Sequence, residues 1–147
     1  MNELQAFIES HGIRFFSARE VTLQRRWSRH ELPDRGDWEN VIPALHLADA
    51  IRAALGAPIR VVSGYRTADY NRAVGGSPFS EHMYFRAVDI QPVDAARFEE
   101  MITLAHCAVD VARSLGLNVA LLIYDRFIHI DTGSTRRTNL TRDFRER

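Results

Sequence analysis

Three side chains in this sequence could together hold a metal: His82, Asp89 seven residues later, and His129. Zinc takes imidazole nitrogen and carboxylate oxygen where thiolates are scarce, and a catalytic site needs only three protein ligands because water fills the fourth place. One cysteine, Cys107, rules out a cysteine-rich zinc site and any intramolecular disulfide. Taken singly, each of the three has an ordinary reading, as a surface or hydrogen-bonded histidine or as an aspartate in a turn or cap. Type and spacing alone leave both readings open. Arg66 by itself reads first as a surface salt bridge, though a guanidinium can also grip a carboxylate in a bidentate fork or stabilise developing negative charge. A metal-bound water would also need a group to accept its proton, and Asp131, Asp125 and Glu81 are the candidates. Asp131 stands two residues after His129, so a regular strand puts both on one sheet face. It would serve there as base, or as the partner that orients a histidine ligand.

These residues meet only if the chain folds back on itself several times. Val41, Ala44, Leu45, Ala48, Ile51 and Leu55 mark one face of a helix over 38–55, ended by Gly56 and Pro58. Ile59-Arg60-Val61-Val62-Ser63 predicts a strand that turns at Gly64 and leaves Tyr65 and Arg66 at its end. A short helix over 67–74 closes at Gly75-Gly76, and the polar stretch 75–81 is a loop that delivers His82. Ala87 to Ile90 predicts a second strand, and Phe98, Met101, Ile102, Ala105, Ala108, Val109, Ala112 and Leu115 predict a helix over 94–116. The runs 119–124 and 127–131, parted by Asp125-Arg126, predict a tight hairpin with His129 on its second strand. Toward the start, 3–11 and 18–25 have the pattern of short helices, the second with Ser17 and Glu20 placed as a capping box. No internal repeat or linker interrupts the chain.

With 147 residues there is room for one domain, which buries roughly 68–70% of the surface of its unfolded chain. The division expected is N-terminal helices over 1–37, a motif-bearing core over 38–133 and a polar, Arg-rich tail over 134–147. Nineteen Lys and Arg balance nineteen Asp and Glu, so no net charge draws the protein to nucleic acid. Neither a basic-then-apolar start nor an apolar run of about 18 residues appears, so no secretion signal or membrane span is expected. With no coiled-coil pattern the default is a monomer. Cys107 reads as a small core side chain. His11, His30, His46 and His106 have no partner at ligand spacing, and Trp27 and Trp38 read first as packing residues.

Five blocks now come into view in one order: Ser63-Gly64-Tyr65-Arg66-Thr67, Tyr70-Asn71-Arg72-Ala73-Val74-Gly75-Gly76, Ser80-Glu81-His82-Met83, Ala87-Val88-Asp89-Ile90 and Phe127-Ile128-His129-Ile130-Asp131-Thr132-Gly133. Together they resemble the zinc D-Ala-D-Ala carboxypeptidase family, over about half the chain. The resemblance implies an α+β domain, a small antiparallel sheet with helices packed against it, and a metallopeptidase that acts on peptidoglycan peptides. It implies that His82, Asp89 and His129 hold one Zn2+ per chain. Arg66 would be the arginine that binds or polarises substrate, with Tyr65 and Ser80 beside it in the substrate-binding set; Asp131 is the first candidate for the catalytic base from its place on the strand, not from the resemblance. Two positions depart from the family pattern. Arg126 stands three residues before the last ligand, where better-known branches carry a carboxylate. Phe85 stands three residues after His82, where Gly is common and would permit a backbone conformation that a bulky residue resists.

The expectation is therefore zinc-dependent hydrolysis of stem peptides or cross-bridges by a carboxypeptidase or endopeptidase. The protein would stay in the cytoplasm of the producing cell, or reach the wall after release if it is a phage lysin. A binding or structural module of the cell wall or virion, keeping the fold and metal without turnover, is the alternative.

Overall fold

The computed structural model describes residues 1–94 and 97–133; the expected polar tail, 134–147, lies outside the described residues. The chain runs through α1 (Asn2–Ser10), α2 (Ala18–Thr22), a two-stranded ribbon of β1 (Leu23–Gln24) and β2 (Arg29–His30), and α3 (Ile42–Leu55). It continues with β3 (Ile59–Ser63), α4 (Ala68–Ala73), β4 (Ala87–Pro92), α5 (Phe98–Leu115), β5 (Ala120–Ile123) and β6 (Ile128–Asp131). The main sheet is antiparallel throughout, in the order β3-β4-β6-β5. This is the expected α+β architecture, with β5 and β6 forming the expected hairpin.

Alternation sorts the sheet into two faces. Val88, Ile90, Leu121, Ile123, Ile128 and Ile130 join the apolar core, and α3 and α5 cover that face with Leu45, Ala48, Ile51, Met101, Leu104, Ala105 and Ala108. Their cross-strand neighbours at odd steps, Asp89 and His129, necessarily point the other way, because strand side chains alternate with a period of two. A slip of one residue would bury both in the hydrocarbon core, so the apolar pattern itself fixes the register that sets Asp89 and His129 on the face opposite that core. The helices end where glycine takes the left-handed conformation, α3 at Gly56 with φ +68° and α5 at Gly116 with φ +61°.

The N-terminal third is tied to this core by polar groups as well as by Leu4, Ile8, Phe16 and Val21. The buried Asp49 carboxylate on α3 accepts the N–H groups of Arg14 and Phe15 at 2.8–3.2 Å. At the start of α2 the expected capping box is present: Ser17 Oγ accepts from Glu20 N at 3.2 Å, and Glu20 Oε2 accepts from Ser17 N at 2.9 Å. Trp38 is buried and donates Nε1–H to Pro33 O, a packing role.

Two expected helices are shorter than their apolar pattern. The segment predicted from residue 38 begins as a 3-10 turn, Arg35–Val41, and turns α-helical at Ile42. Pro43 explains the change, since proline has no N–H and clashes with the carbonyl four residues earlier, so only a first turn accepts it. The helix predicted over 18–25 stops at Thr22. Val21 O there accepts the N–H of Tyr65 at 2.7 Å, and Thr22 Oγ1 lies 3.2 Å from His30 Nδ1. Partners distant in sequence draw 23–24 into the ribbon with Arg29 and His30.

Candidate metal centre

Asp89 on β4 and His129 on β6 are direct cross-strand partners, and Ser63 on β3 stands opposite Asp89 on the other side. His82 reaches the same place from a 3-10 turn, Glu81–Tyr84, rather than from the preceding loop as expected. Ser80 caps that turn by accepting the His82 N–H at 3.2 Å. One ligand atom from each of His82, Asp89 and His129 falls within 4.8 Å of the others, so a single ion could touch all three.

Each imidazole is turned by a second contact. Gly64 O lies 2.7 Å from His82 Nδ1, and a carbonyl can only accept, so Nδ1 carries the hydrogen. That leaves Nε2 as the nitrogen turned to Asp89 Oδ2, at 3.2 Å. His129 is held in the opposite sense: Nδ1 lies 2.8 Å from Asp89 Oδ1, and Nε2 lies 2.8 Å from Asp131 Oδ2. The two rings meet edge to face, with centroids 5.3 Å apart. Fixing the outer nitrogen of a histidine with an oxygen acceptor is the usual way a protein aims the inner nitrogen at a metal. The donor set, two imidazoles and one carboxylate with no thiolate, suits zinc.

The electrostatics follow from burial and proximity. Burial alone would push the Asp89 carboxyl up, but the charge of His82 and the hydrogen bonds from His129 and His82 outweigh it and hold Asp89 well below the usual carboxylate range. Burial pulls His129 down, yet hydrogen bonds to Asp131 and Asp89, and their charges, raise it to about 9. A metal can coordinate His129 only after displacing that proton, so binding at pH 7 should release a proton. The folded-state value lies above the ordinary 6.5. The stabilisation it gives the metal-free protein is therefore complete below pH 6.5 and disappears as pH rises through about 9. Zinc titrations followed calorimetrically in buffers of different ionisation heat should show this proton release at pH 7 and its loss above pH 9.5; equal release at both values would contradict it.

Arg66 lies at the end of β3, as expected. Its side chain is 16% exposed and its Nη2 stands 3.8 Å from Asp89 Oδ2. Burial lowers its pKa, against the raising effect of Asp89. Tyr65, next to it, packs edge to face on Phe85 with centroids 6.1 Å apart. The three carboxylates named as possible bases differ sharply in surroundings. Asp131 is fully buried and engaged with His129. Asp125 is exposed in the hairpin turn. Glu81 has an Oε2 that is buried with no hydrogen-bond partner among the described residues, and its carboxylate packs so closely on Gly133 that a Cβ there would stand 1.8 Å from that oxygen.

Phe85 now has a physical account. It adopts φ +55° and ψ 39°, the left-handed conformation that glycine enters freely and other residues enter at a cost of about 1–2 kcal/mol. Its ring is fully buried in the core, and its N–H donates to His82 O at 3.3 Å, so the turn that carries His82 is closed despite the substitution. Two polar residues that sequence reasoning did not single out also belong to the site. Gln24 and Asn71 are 0% and 2% exposed, and each hydrogen-bonds to Arg66 or its immediate neighbours. Asn71 lies inside a recognisable motif, but nothing in the local sequence marks Gln24, because its partners are some forty residues away.

An antiparallel sheet that sets an aspartate and a histidine side by side on one face, with a second histidine brought to them by the adjoining 3-10 turn and helices sealing the other face, defines a small α+β domain whose three donors could hold one metal ion. The family described as Peptidase M15 matches residues 16–131, and the chain belongs to it. Peptidases of this family use zinc. Among solved structures, the L-Ala D-Glu endopeptidase ChiX of Serratia marcescens is similar at 19% sequence identity and a TM-score of 0.43, over 79% of this chain and 87% of that one. No curated protein matches the sequence. Among the described residues no helix is long and apolar enough to cross a membrane.

Proposed function

We propose that this protein is a zinc peptidase that hydrolyses peptide bonds in peptidoglycan stem peptides or cross-bridges. The observation that carries the reading is the aimed trio of His82, Asp89 and His129, in which both imidazoles have one nitrogen committed to an oxygen acceptor and the other turned to Asp89. Bound there, zinc would polarise the scissile carbonyl and lower the pKa of a coordinated water toward about 7.

The chain's own groups then divide the remaining work. Arg66, held with its Nη2 edge beside Asp89, offers positive charge to the oxygen of the attacked carbonyl. Tyr65, next to Arg66 in the chain, and Ser80, whose hydroxyl caps the His82 turn, are the neighbouring side chains that would contact substrate. Asp131 takes the second of its two possible roles: fully buried behind His129, it keeps Nε2 protonated and Nδ1 free for the ion. The closed turn around Phe85 favours the enzyme over a metal-binding module without turnover, because the departure from glycine leaves the His82 backbone bonded as the site requires.

The test is elemental analysis of the purified protein together with digestion of isolated muropeptides. About one zinc per chain, with release of peptide fragments that a chelator stops and added zinc restores, is the expected result. Stoichiometric zinc without any cleavage would replace the enzyme with the module, and no metal under zinc-replete conditions would overturn the site.

A further inference from the structure

Buried carboxamides are costly unless both their ends are bonded, and this protein places two of them around one arginine. Asn71 Oδ1 accepts from Arg66 Nη1 at 3.1 Å, while its Nδ2 donates to Ser77 O at 2.8 Å. Gln24 works on the backbone to either side: Nε2 donates to Tyr65 O at 2.7 Å and to Thr22 O at 3.1 Å, and Oε1 accepts from Thr67 N at 3.3 Å. The guanidinium has one further anchor, Ser63 Oγ, which accepts from Nε at 3.0 Å. The Arg66 N–H itself donates to His82 O at 3.1 Å. With Nε and Nη1 engaged, the Nη2 edge is the part turned to Asp89.

We propose that Asn71 and Gln24 are positioning residues for Arg66, one holding the guanidinium and the other the main chain, so that the free edge of the arginine faces the metal site. An unbraced Arg66 would lose part of this orientation, since a long side chain regains rotamer freedom when its contacts go. The close packing around the pair agrees with this role. A Cβ on Gly76 would stand 2.0 Å from Asn71 Oδ1 and 2.8 Å from Arg66 Nη1, so the loop backbone is pressed against both groups. A Cβ on Gly64 would stand 2.3 Å from Val21 O, which puts residues 21–24 directly against the segment that carries Arg66. Asn71 also couples the two sides of the site, because its bond to Ser77 O restrains the loop that leads to His82.

The inference rests on the reading that Arg66 serves the reaction, and a double-mutant cycle separates the two. In the zinc-loaded full chain, Arg66→Ala should lower kcat/KM on muropeptides about 10²–10³-fold, the usual loss for a charge-stabilising donor. Asn71→Ala and Gln24→Met should each lower it about tenfold in the native background, but less than about twofold when Arg66 is already Ala, because residues acting through one group are not additive. Zinc content should be unchanged in all of them. If Arg66→Ala cleaves normally, the role of Arg66 fails and the inference with it. If Arg66→Ala is impaired while losses at Asn71 and Gln24 multiply with it, or while both single variants fail to fold, the carboxamides are structural and the inference alone fails.

Discussion

Replacing His82 or His129 by Ala is expected to remove the metal and lower peptide cleavage at least about 10⁴-fold, the scale seen when an essential catalytic group is deleted. Three ligands hold an ion in a catalytic site because the fourth position must stay open, so removing one leaves two donors and no chelating geometry. The loss should also show in stability. His82 and His129 both face the Asp89 carboxylate, at 3.2 Å and 2.8 Å, and together they hold it ionised although it is buried. Breaking one partner of a buried ion pair costs roughly 3–5 kcal/mol. Metal-free His129→Ala should therefore melt well below the metal-free native protein at pH 6, where His129 is charged. His46 and His106 are exposed on α3 and α5, and His106→Ala should retain both zinc and activity. Zinc content measured beside fragment release checks all of these. A His129→Ala protein that keeps its zinc and its rate would remove the residue from the site.

The strands and long helices were legible in the sequence because each is specified by its own residues. Ile59 to Ser63, Ala87 to Ile90 and the two arms of the hairpin carry apolar residues where one face must be dry, and glycines end α3 and α5 where the pattern ends. The same alternation that buries Val88, Ile90, Ile128 and Ile130 turns Asp89 and His129 together on the opposite face. Alternation accounts for the pairing of Asp89 with His129, whereas the naming of all three candidate ligands rests on the resemblance of the motif blocks, because His82 lies on a 3-10 turn outside the strands. Parts set by distant contacts were not legible. Residues 23–24 carry a helical pattern, but the contacts of Val21 with Tyr65 and Thr22 with His30 end α2 at Thr22 and leave them to the ribbon. Gln24 has no local signal because its partners, Tyr65 and Thr67, lie on the other side of α3 and β3 in the chain. The departure at Phe85 was visible as a substitution, while its solution, a left-handed residue whose ring fills the core, depends on a cavity that no short stretch encodes.

The roles open to Asp131 are separated by a substitution that keeps its shape. Asp131→Asn retains size and an oxygen that can accept from His129 Nε2, but removes the charge. If Asp131 orients His129, zinc affinity should fall about 10–100-fold, while saturating zinc restores most of the rate. If Asp131 were the general base, the rate at saturating zinc would stay about 10²–10⁴-fold low, since added metal cannot replace a proton acceptor. The pH dependence strengthens the comparison. In the native protein His129 is raised to about 9, first among the raising causes by its hydrogen bond to Asp131, and two pH units below that value the proton competes with zinc by about a hundredfold. The variant, with a lower His129 pKa, suffers less of this competition at pH 7. The loss of affinity should thus be smaller at pH 7 than at pH 9.5, where the proton has left both proteins and only the missing acceptor remains. An affinity loss that is equal at the two values, or larger at pH 7, would show that the Asp131 charge does not act through the His129 proton.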